Sequence, residues 1–112
     1  MSAVERLESL AIELVRRGYV VRRWHRGDPP WIVVCLPAVP ACGESVTACP
    51  ISDLEQVSPL EPLWWFRTSS WALLAPCDRP ADAATRFEEI MAPIHRVAAR
   101  KARPAVDQRQ EP

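Results

Sequence analysis

Residues 63–75 read LWWFRTSSWALLA, and they decide the fold because they hold two short apolar segments separated by a pair of serines. Aromatic and branched residues on both sides of a turn are typical of a β-hairpin. Successive side chains of a strand point to opposite faces, so we expect Trp64 and Phe66 on one face and Trp65 on the other. Both faces of this hairpin are therefore apolar, and something must cover each of them.

The turn of this hairpin sets which residues lie opposite each other. With a two-residue turn, Phe66 is expected opposite Leu73 on one face. On the other face, Trp65 is then expected opposite Leu74. This register places Leu74 on the same side of the sheet as Trp65.

Upstream, the sequence predicts a second hairpin and one further strand. Residues 19–26 and 31–36 are rich in β-branched and aromatic residues, and they flank the turn-forming Gly-Asp-Pro-Pro of residues 27–30. The strand over 31–36 is apolar on both faces, which is typical of the centre of a sheet. Residues 44–49 predict a weaker third strand, whose polar side chains indicate an edge.

Helices are predicted at both ends of the chain. Ser2 and Glu5 fit a capping box, and apolar residues recur at helical spacing up to Gly18, which predicts a helix over 3–17. Alanine-rich residues 81–91 predict a second helix, which Pro93 should kink or end. A further helix could then continue to about residue 103.

These elements predict an α+β fold, with an N-terminal helix, an antiparallel sheet of about four to five strands, and a C-terminal helix or helix pair. A chain of 112 residues has room for one core, so we expect a single domain over residues 1–103. Residues 104–112 are polar and unpatterned, and they predict a disordered tail.

Residues 64–76, WWFRTSSWALLAP, also carry a resemblance. They resemble a group of small actinobacterial proteins with no assigned activity, in which a W-W-F-x-W-x-W stretch precedes a leucine or isoleucine, a proline and an alanine-rich helix. The likeness includes the strand entry Arg-Gly-Tyr-Val-Val at 17–21, and it departs at Arg67, Thr68 and Ala72. The resemblance implies an α-β-α order and carries no activity to this chain.

Charge and hydropathy exclude some classes of partner. The 14 basic and 14 acidic residues cancel, which argues against the strong basic excess that nucleic acids and membrane surfaces select. No run of about 18 apolar residues predicts a membrane span, and the N-terminus does not resemble a secretory signal. We therefore expect a cytoplasmic protein with no membrane partner.

The residues that usually carry catalysis or bind metal do not form a recognisable set. The histidines, His25 and His95, have no nucleophile or carboxylate at a characteristic spacing. The cysteines follow a C-x6-C-x6-C pattern without the close pairs that hold zinc, although oxidation could join Cys42 to Cys49 across a hairpin. The sequence thus predicts a protein that is not an enzyme and has no cofactor or metal.

The two-sided hairpin instead favours protein association. If both helices cover one face of the sheet, the other face exposes an aromatic patch that includes Trp24, Trp31, Trp65 and Leu74. A homodimer or another protein partner would cover this patch. Alternatively, the 50–62 connection and the terminal helix could fold over it within one chain. The predicted function is a small adaptor or regulatory protein that is not an enzyme.

A nucleic-acid-binding protein is the alternative, because the zero net charge hides two basic ends. Residues 1–26 carry six basic and three acidic side chains, and residues 94–112 carry five and two. Guanidinium groups beside Trp24 could form a stacking surface for single strands. The candidate contacts are the strand residues Arg22, Arg23 and Arg26 and the terminal residues Arg96, Arg100, Lys101 and Arg103.

Overall fold

The computed structural model describes residues 2–37, 43–51 and 63–102, with side chains described up to Val97. The described elements are, in chain order, helix α1 (Ala3–Arg16), strands β1 (Val20–Trp24), β2 (Trp31–Cys35), β3 (Gly43–Ile51), β4 (Leu63–Thr68) and β5 (Leu73–Pro76), and helix α2 (Pro80–Ala102). The predicted α+β class is confirmed. The predicted tail, residue Cys42 and most of the 50–62 connection lie outside the described residues.

Helix α1 begins and ends as its sequence predicts. The Ser2 hydroxyl accepts a hydrogen bond from the Glu5 backbone N–H, which satisfies one of the free donors of the first turn. Gly18 follows the helix with φ +98°, a conformation that glycine adopts without a steric penalty. The apolar residues of its inner face, Leu7, Leu10, Ala11 and Leu14, are buried.

The five strands form one antiparallel sheet in which spatial order equals chain order. Strand β3 lies at the centre and pairs with β2 and β4, so the prediction that it is an edge strand was wrong. Polar side chains did not distinguish an edge strand from a central one, because β3 accommodates them at the centre of the sheet. The Thr47 hydroxyl donates to the Pro30 carbonyl, while Val46 and Ala48 on the opposite face are buried in the core.

The hairpin of β4 and β5 forms as predicted, but its register differs. Arg67 lies opposite Leu73 and Phe66 opposite Ala75, with a bulge at this point that leaves Leu74 as the extra residue. Leu74 is buried in the hydrophobic core. The placement of Leu74 on the exposed patch was therefore wrong, because the bulge shifts the alternation of β5 by one residue.

Helix α2 continues past Pro93, so the C-terminal element is a single helix and not the helix pair that the sequence also allowed. A proline inside a helix leaves the carbonyl four residues earlier without its usual donor. That carbonyl belongs to Glu89. Both Glu89 and Pro93 are exposed, so water can satisfy the carbonyl and the helix continues. No helix among the described residues is long and apolar enough to cross a membrane.

Both helices pack on the same face of the sheet, as expected for this fold class. Helix α1 lies against β1, β2 and β3, whereas α2 lies against β5 and against α1. Their apolar side chains join alternate strand residues in one core, which includes Ile32, Val34, Val46, Ala48, Phe66, Ala83, Phe87 and Met91. We call this side of the sheet the helix face.

Candidate functional site: the tryptophan face

The other side of the sheet carries four of the five tryptophans, and we call it the tryptophan face. Strand alternation and pairing assign its members, with Trp71 added from the turn between β4 and β5. None of the assigned strand residues is an aspartate or a glutamate. These residues are Val20, Arg22, Trp24, Trp31, Val33, Cys35, Gly43, Ser45, Thr47, Cys49, Ile51, Leu63, Trp65, Arg67, Leu73 and Pro76.

One line of neighbouring residues crosses all five strands of this face. The pairings run from Trp24 to Trp31, then to Thr47, Arg67 and finally Leu73. We call this line the cross-strand row. Strands lie about 4.8 Å apart, so the row is about 19 Å long. It offers a ligand two indoles at one end and a guanidinium near the other.

The two indoles at the start of the row stack on each other. The ring centroids of Trp24 and Trp31 are 6.2 Å apart, with an angle of 26° between the planes. Gly27 in the β1–β2 turn makes room for this arrangement. A Cβ atom at Gly27 would overlap the ring of Trp31 and lie 2.9 Å from the Pro29 carbonyl oxygen. The absence of a side chain at Gly27 therefore allows the Trp31 ring to lie against this turn.

Near the other end of the row, Arg67 lies against the indole of Trp71. The guanidinium carbon is 3.8 Å from the ring centroid, within the range of a cation–π contact. Trp71 is 73 % exposed and has φ +68°, a left-handed conformation that is unfavourable for a bulky residue. The buried Thr68 shapes this turn, because its hydroxyl accepts a hydrogen bond from the Ala72 N–H.

An open cavity of about 160 Å³ lies between these two ends of the row. Its walls come from the β1–β2 turn, from β2, β3 and β4, and from the residue that follows β4. The aromatic and polar side chains that line it are those of Trp31, Ser45, Thr47, Arg67 and Ser69. The cavity thus combines an aromatic wall, three hydroxyl groups and one guanidinium.

The structure brings together three of the four residues predicted for the aromatic patch. Trp24, Trp31 and Trp65 all lie on the tryptophan face, and Trp24 is 55 % exposed. Trp65 is half-buried, and its indole Nε1 is shielded from solvent without a hydrogen-bond partner. Trp64, its neighbour in sequence, faces the helices, where the Arg6 guanidinium lies 4.8 Å from the ring centroid.

The predicted nucleic-acid residues are not brought together. Arg22 lies on the tryptophan face, but Arg23 points to the helix face and bonds the carboxylate of Glu8 at 2.8 Å. This interaction, with a smaller contribution from His25, holds the pKa of Glu8 below its ordinary value. The prediction that Arg22 and Arg23 form one surface was wrong, because neighbouring strand residues point to opposite faces.

The remaining basic residues of that prediction are also separate. Arg26 is exposed in the β1–β2 turn, and Arg96 is exposed on α2, which lies on the helix side of the sheet. Arg100 and Lys101 belong to the last described turns of α2, where only the backbone is described. Arg103 lies outside the described residues.

Several titratable groups lie away from the tryptophan face. Next to α2, the Tyr19 hydroxyl is 3.3 Å from Nε2 of His95, and burial raises the pKa of Tyr19 to about 12. Burial also raises the pKa of Cys77 to about 12. Cys35, Cys49 and Cys77 are unpaired thiols. Within the described ranges, no three His, Cys, Asp or Glu side chains lie close enough to hold a metal ion.

Comparisons of the chain with protein-family models, curated proteins and solved structures found no match. The geometry of the tryptophan face is therefore the basis for assigning a function.

Sequence reasoning missed two functional candidates, Arg67 and Trp71. The alternation of β4 already predicts that Arg67 shares a face with Trp65, and a charged residue in an apolar strand is a signal in itself. Trp71 follows the serine pair, which by itself predicts a two-residue turn. The longer turn seen in the structure brings Trp71 over Arg67, and no rule for a two-residue turn would have found this contact.

Proposed function

We propose that the protein is a small adaptor or regulatory protein, not an enzyme, that binds another protein through the tryptophan face. The observation that carries the proposal is the pair of exposed indoles near the two ends of the cross-strand row, Trp24 at 55 % and Trp71 at 73 % exposure. Tryptophan and arginine are the residue types most enriched at the energetic centres of protein interfaces. An exposed surface with both of them is a suitable docking surface.

The conformation of Trp71 adds support. A left-handed backbone costs a bulky residue about 1–3 kcal/mol, and glycine or asparagine would avoid most of this cost. The indole recovers little of it through burial because it is largely exposed. A residue that is both strained and exposed serves binding better than it serves folding.

We place this activity in the cytoplasm, with a protein as the partner and no membrane. The buried thiols of Cys35 and Cys77 fit a reducing compartment, where a buried cysteine acts as a small apolar side chain. We also propose that the chain is related to the small actinobacterial proteins that its residues 64–76 resemble.

Selection from a random peptide library displayed on phage tests the proposal. We expect the wild-type protein to enrich peptides that bind it in solution, and the double variant Trp24→Ser/Trp71→Ser to remain folded and lose this binding. The matched control is Ile12→Ser/Val15→Ser, which removes two exposed apolar side chains from α1. Equal binding by all three proteins, or no enrichment at all, would contradict the proposal.

Light scattering during size-exclusion chromatography separates a second copy of the chain from a different partner. If the tryptophan face binds itself, the wild type runs as a dimer and the Trp24→Ser/Trp71→Ser variant as a monomer. If the partner is another protein, both run as monomers and only peptide binding differs between them.

Binding of single-stranded nucleic acid is a second candidate, favoured by the absence of carboxylates among the assigned strand residues of the tryptophan face and by Arg22 beside Trp24. It predicts that the anisotropy of a fluorescent oligonucleotide rises at low salt and falls steeply as salt increases. Arg22→Glu should weaken this binding, whereas Arg86→Glu on α2 should change it little. No anisotropy change at low salt would exclude this candidate.

A further inference from the structure

We infer that Arg67 binds a side-chain carboxylate of the partner, so that the segment lying on the tryptophan face is an acidic and apolar one. This inference deepens the proposed function and rests on it. It specifies that the partner presents a carboxylate and that this carboxylate occupies the cavity beside Arg67.

Arg67 is a half-buried cation without a counter-ion in the described part of the chain. Its Nη1 donates to the Thr68 carbonyl at 3.1 Å, and its Nε is shielded and has no partner. Arg17, which is also only partly exposed, differs because it bonds Glu13 and Glu88 at 3.1 and 3.0 Å. A partly buried charge is unfavourable unless an opposite charge meets it. A bound carboxylate would supply that charge.

Arg6 shows which feature is specific to Arg67. Arg6 is also half-buried, lies against a tryptophan, and has a shielded Nε without a partner. It belongs to α1 and lies between the helix and the sheet, over Trp64. Arg67 instead lines a cavity that opens on the face without helices, so a ligand from solution can reach its guanidinium.

The cavity has suitable chemistry for an acidic side chain. About 160 Å³ accommodates a carboxylate with a short aliphatic stem, and the Trp31 ring forms an apolar wall for the stem. Ser45 supplies a hydroxyl that can donate to a carboxylate oxygen. The other two hydroxyls are already used as donors, Thr47 to the Pro30 carbonyl and Ser69 to the Glu44 carboxylate. Arg67 and Ser45 are therefore the donors available to a ligand.

Trp71 acts as a positioning residue in this site. Its ring covers one side of the guanidinium, which limits the orientations of Arg67 and keeps its remaining donors near the cavity. A ring over the guanidinium carbon leaves the N–H groups at the edge of the guanidinium for hydrogen bonds, and such an edge matches the two oxygens of a carboxylate.

The surroundings favour a protein segment over a nucleic acid. A nucleic-acid backbone presents phosphates at regular intervals, and tight binding needs several cations along its path. The described strand residues of the tryptophan face provide two, Arg22 and Arg67. Most of the others are apolar or carry small side chains, and the row that contains Arg67 ends in Leu73. One carboxylate among apolar residues is the better match.

A double-mutant cycle on a peptide selected by the full-length protein tests the inference. We expect the selected peptides to share an aspartate or glutamate beside apolar residues. Arg67→Gln should weaken binding of such a peptide about tenfold or more, since hydrogen bonds between charged groups are the strong ones. Replacing the peptide acid by its amide should cost about as much, and the two changes together little more than either alone.

Matched variants separate this contact from general effects. Arg6→Gln removes the other tryptophan-stacked arginine and Arg86→Gln an exposed one; both should bind the peptide as the wild type does. Arg67→Lys keeps the charge without the planar edge and should recover part of the affinity. Trp71→Gly should lower affinity while leaving the thermal midpoint unchanged or higher, which a merely structural role would not produce.

Other outcomes contradict the inference, the proposed function or both. If the peptides carry no acid and bind Arg67→Gln normally, while Trp24→Ser/Trp71→Ser fails to bind them, the inference is wrong and the proposed function stands. If no peptide binds, both are wrong. If Arg67→Gln does not fold, the amide form of the peptide on wild-type protein decides, and unchanged affinity contradicts the inference. A strong preference for oligonucleotides over peptides also contradicts it.

Discussion

The two faces of the sheet are built from alternate residues of the same strands, yet they differ in nearly every property. On the helix face, Ile32, Val46 and Phe66 are fully buried in one core. On the tryptophan face, residues of similar size remain half-buried or exposed, and Trp71 is held in a strained conformation. The comparison predicts that the helix face supplies most of the stability, and the proposed binding would then use the apolar residues of the other face.

The largest effect should come from removing the central side chain of the helix face. We expect Phe66→Ala to lower the free energy of unfolding by about 3–5 kcal/mol, because it leaves a cavity in the core. Trp24→Ala removes a larger side chain from the tryptophan face and should cost about 1 kcal/mol or less. Urea unfolding followed by circular dichroism measures both. Similar losses would show that the two faces contribute equally to stability.

A smaller effect should follow from disconnecting the two helices that form the helix layer. Arg17 at the end of α1 bonds Glu88, the Thr85 hydroxyl and the Ala81 carbonyl of α2. The carboxylates of Glu88 and Glu13 raise its pKa. We expect Arg17→Met to cost about 2 kcal/mol in thermal or urea unfolding, since several charge-assisted hydrogen bonds are lost. The control is Arg16→Met, which should cost little because Arg16 is mostly exposed. Equal effects of the two variants would argue against this connection.

The tryptophan face can be disturbed without touching the core. We expect Gly27→Ala to displace the Trp31 ring and break its stacking on Trp24, at a cost of about 1 kcal/mol. Near-ultraviolet circular dichroism should report the change in the indole pair. Gly18→Ala is not a suitable control because of its positive φ, so Arg96→Ala, which removes an exposed side chain from α2, serves instead. An unchanged indole spectrum in Gly27→Ala would contradict the proposed packing.

The smallest effect is a dependence of stability on pH that belongs to the helix face. The pKa of Glu8 is lowered in the folded protein, chiefly by Arg23, so this pair stabilises the fold above the ordinary pKa of 4.5. The stabilisation is lost as the pH falls through the lowered folded pKa. Because both side chains are more than a third exposed, we expect at most about 1 kcal/mol.

Acid titration of unfolding stability measures this dependence. Glu8→Gln and Arg23→Gln should each reduce the loss of stability on acidification, whereas Arg22→Gln, on the opposite face of the same strand, should not. If Arg22→Gln alters the acid titration as much as Arg23→Gln does, the assignment of these two arginines to different faces is wrong.

The order of elements could be predicted because local signals were strong. The cap at Ser2, the stop at Gly18 and the apolar runs over 31–36 and 63–75 each reflect chemistry confined to a few neighbouring residues. Alternation along β4 also separated Trp64 from Trp65 correctly. These predictions needed no knowledge of distant contacts.

The remaining features depend on contacts that the sequence does not display. The centre position of β3 depends on which strands pair with it, and the bulge at Leu74 depends on a turn longer than its serine pair suggests. The helix passes Pro93 at a place where Glu89 and Pro93 are exposed, and such exposure is a tertiary property. For the site, alternation was sufficient for Trp65, whereas the stacking of Trp71 on Arg67 required the turn geometry.

The equality of spatial and chain order in the sheet also has a consequence for how the chain folds. Each strand pairs with its neighbour in sequence, so the sheet can grow from either hairpin with small loops to close at most steps. The contact between Arg17 and Glu88 joins residues that are 71 positions apart, and it should form late. Arg17→Met should therefore speed unfolding and leave the folding rate almost unchanged.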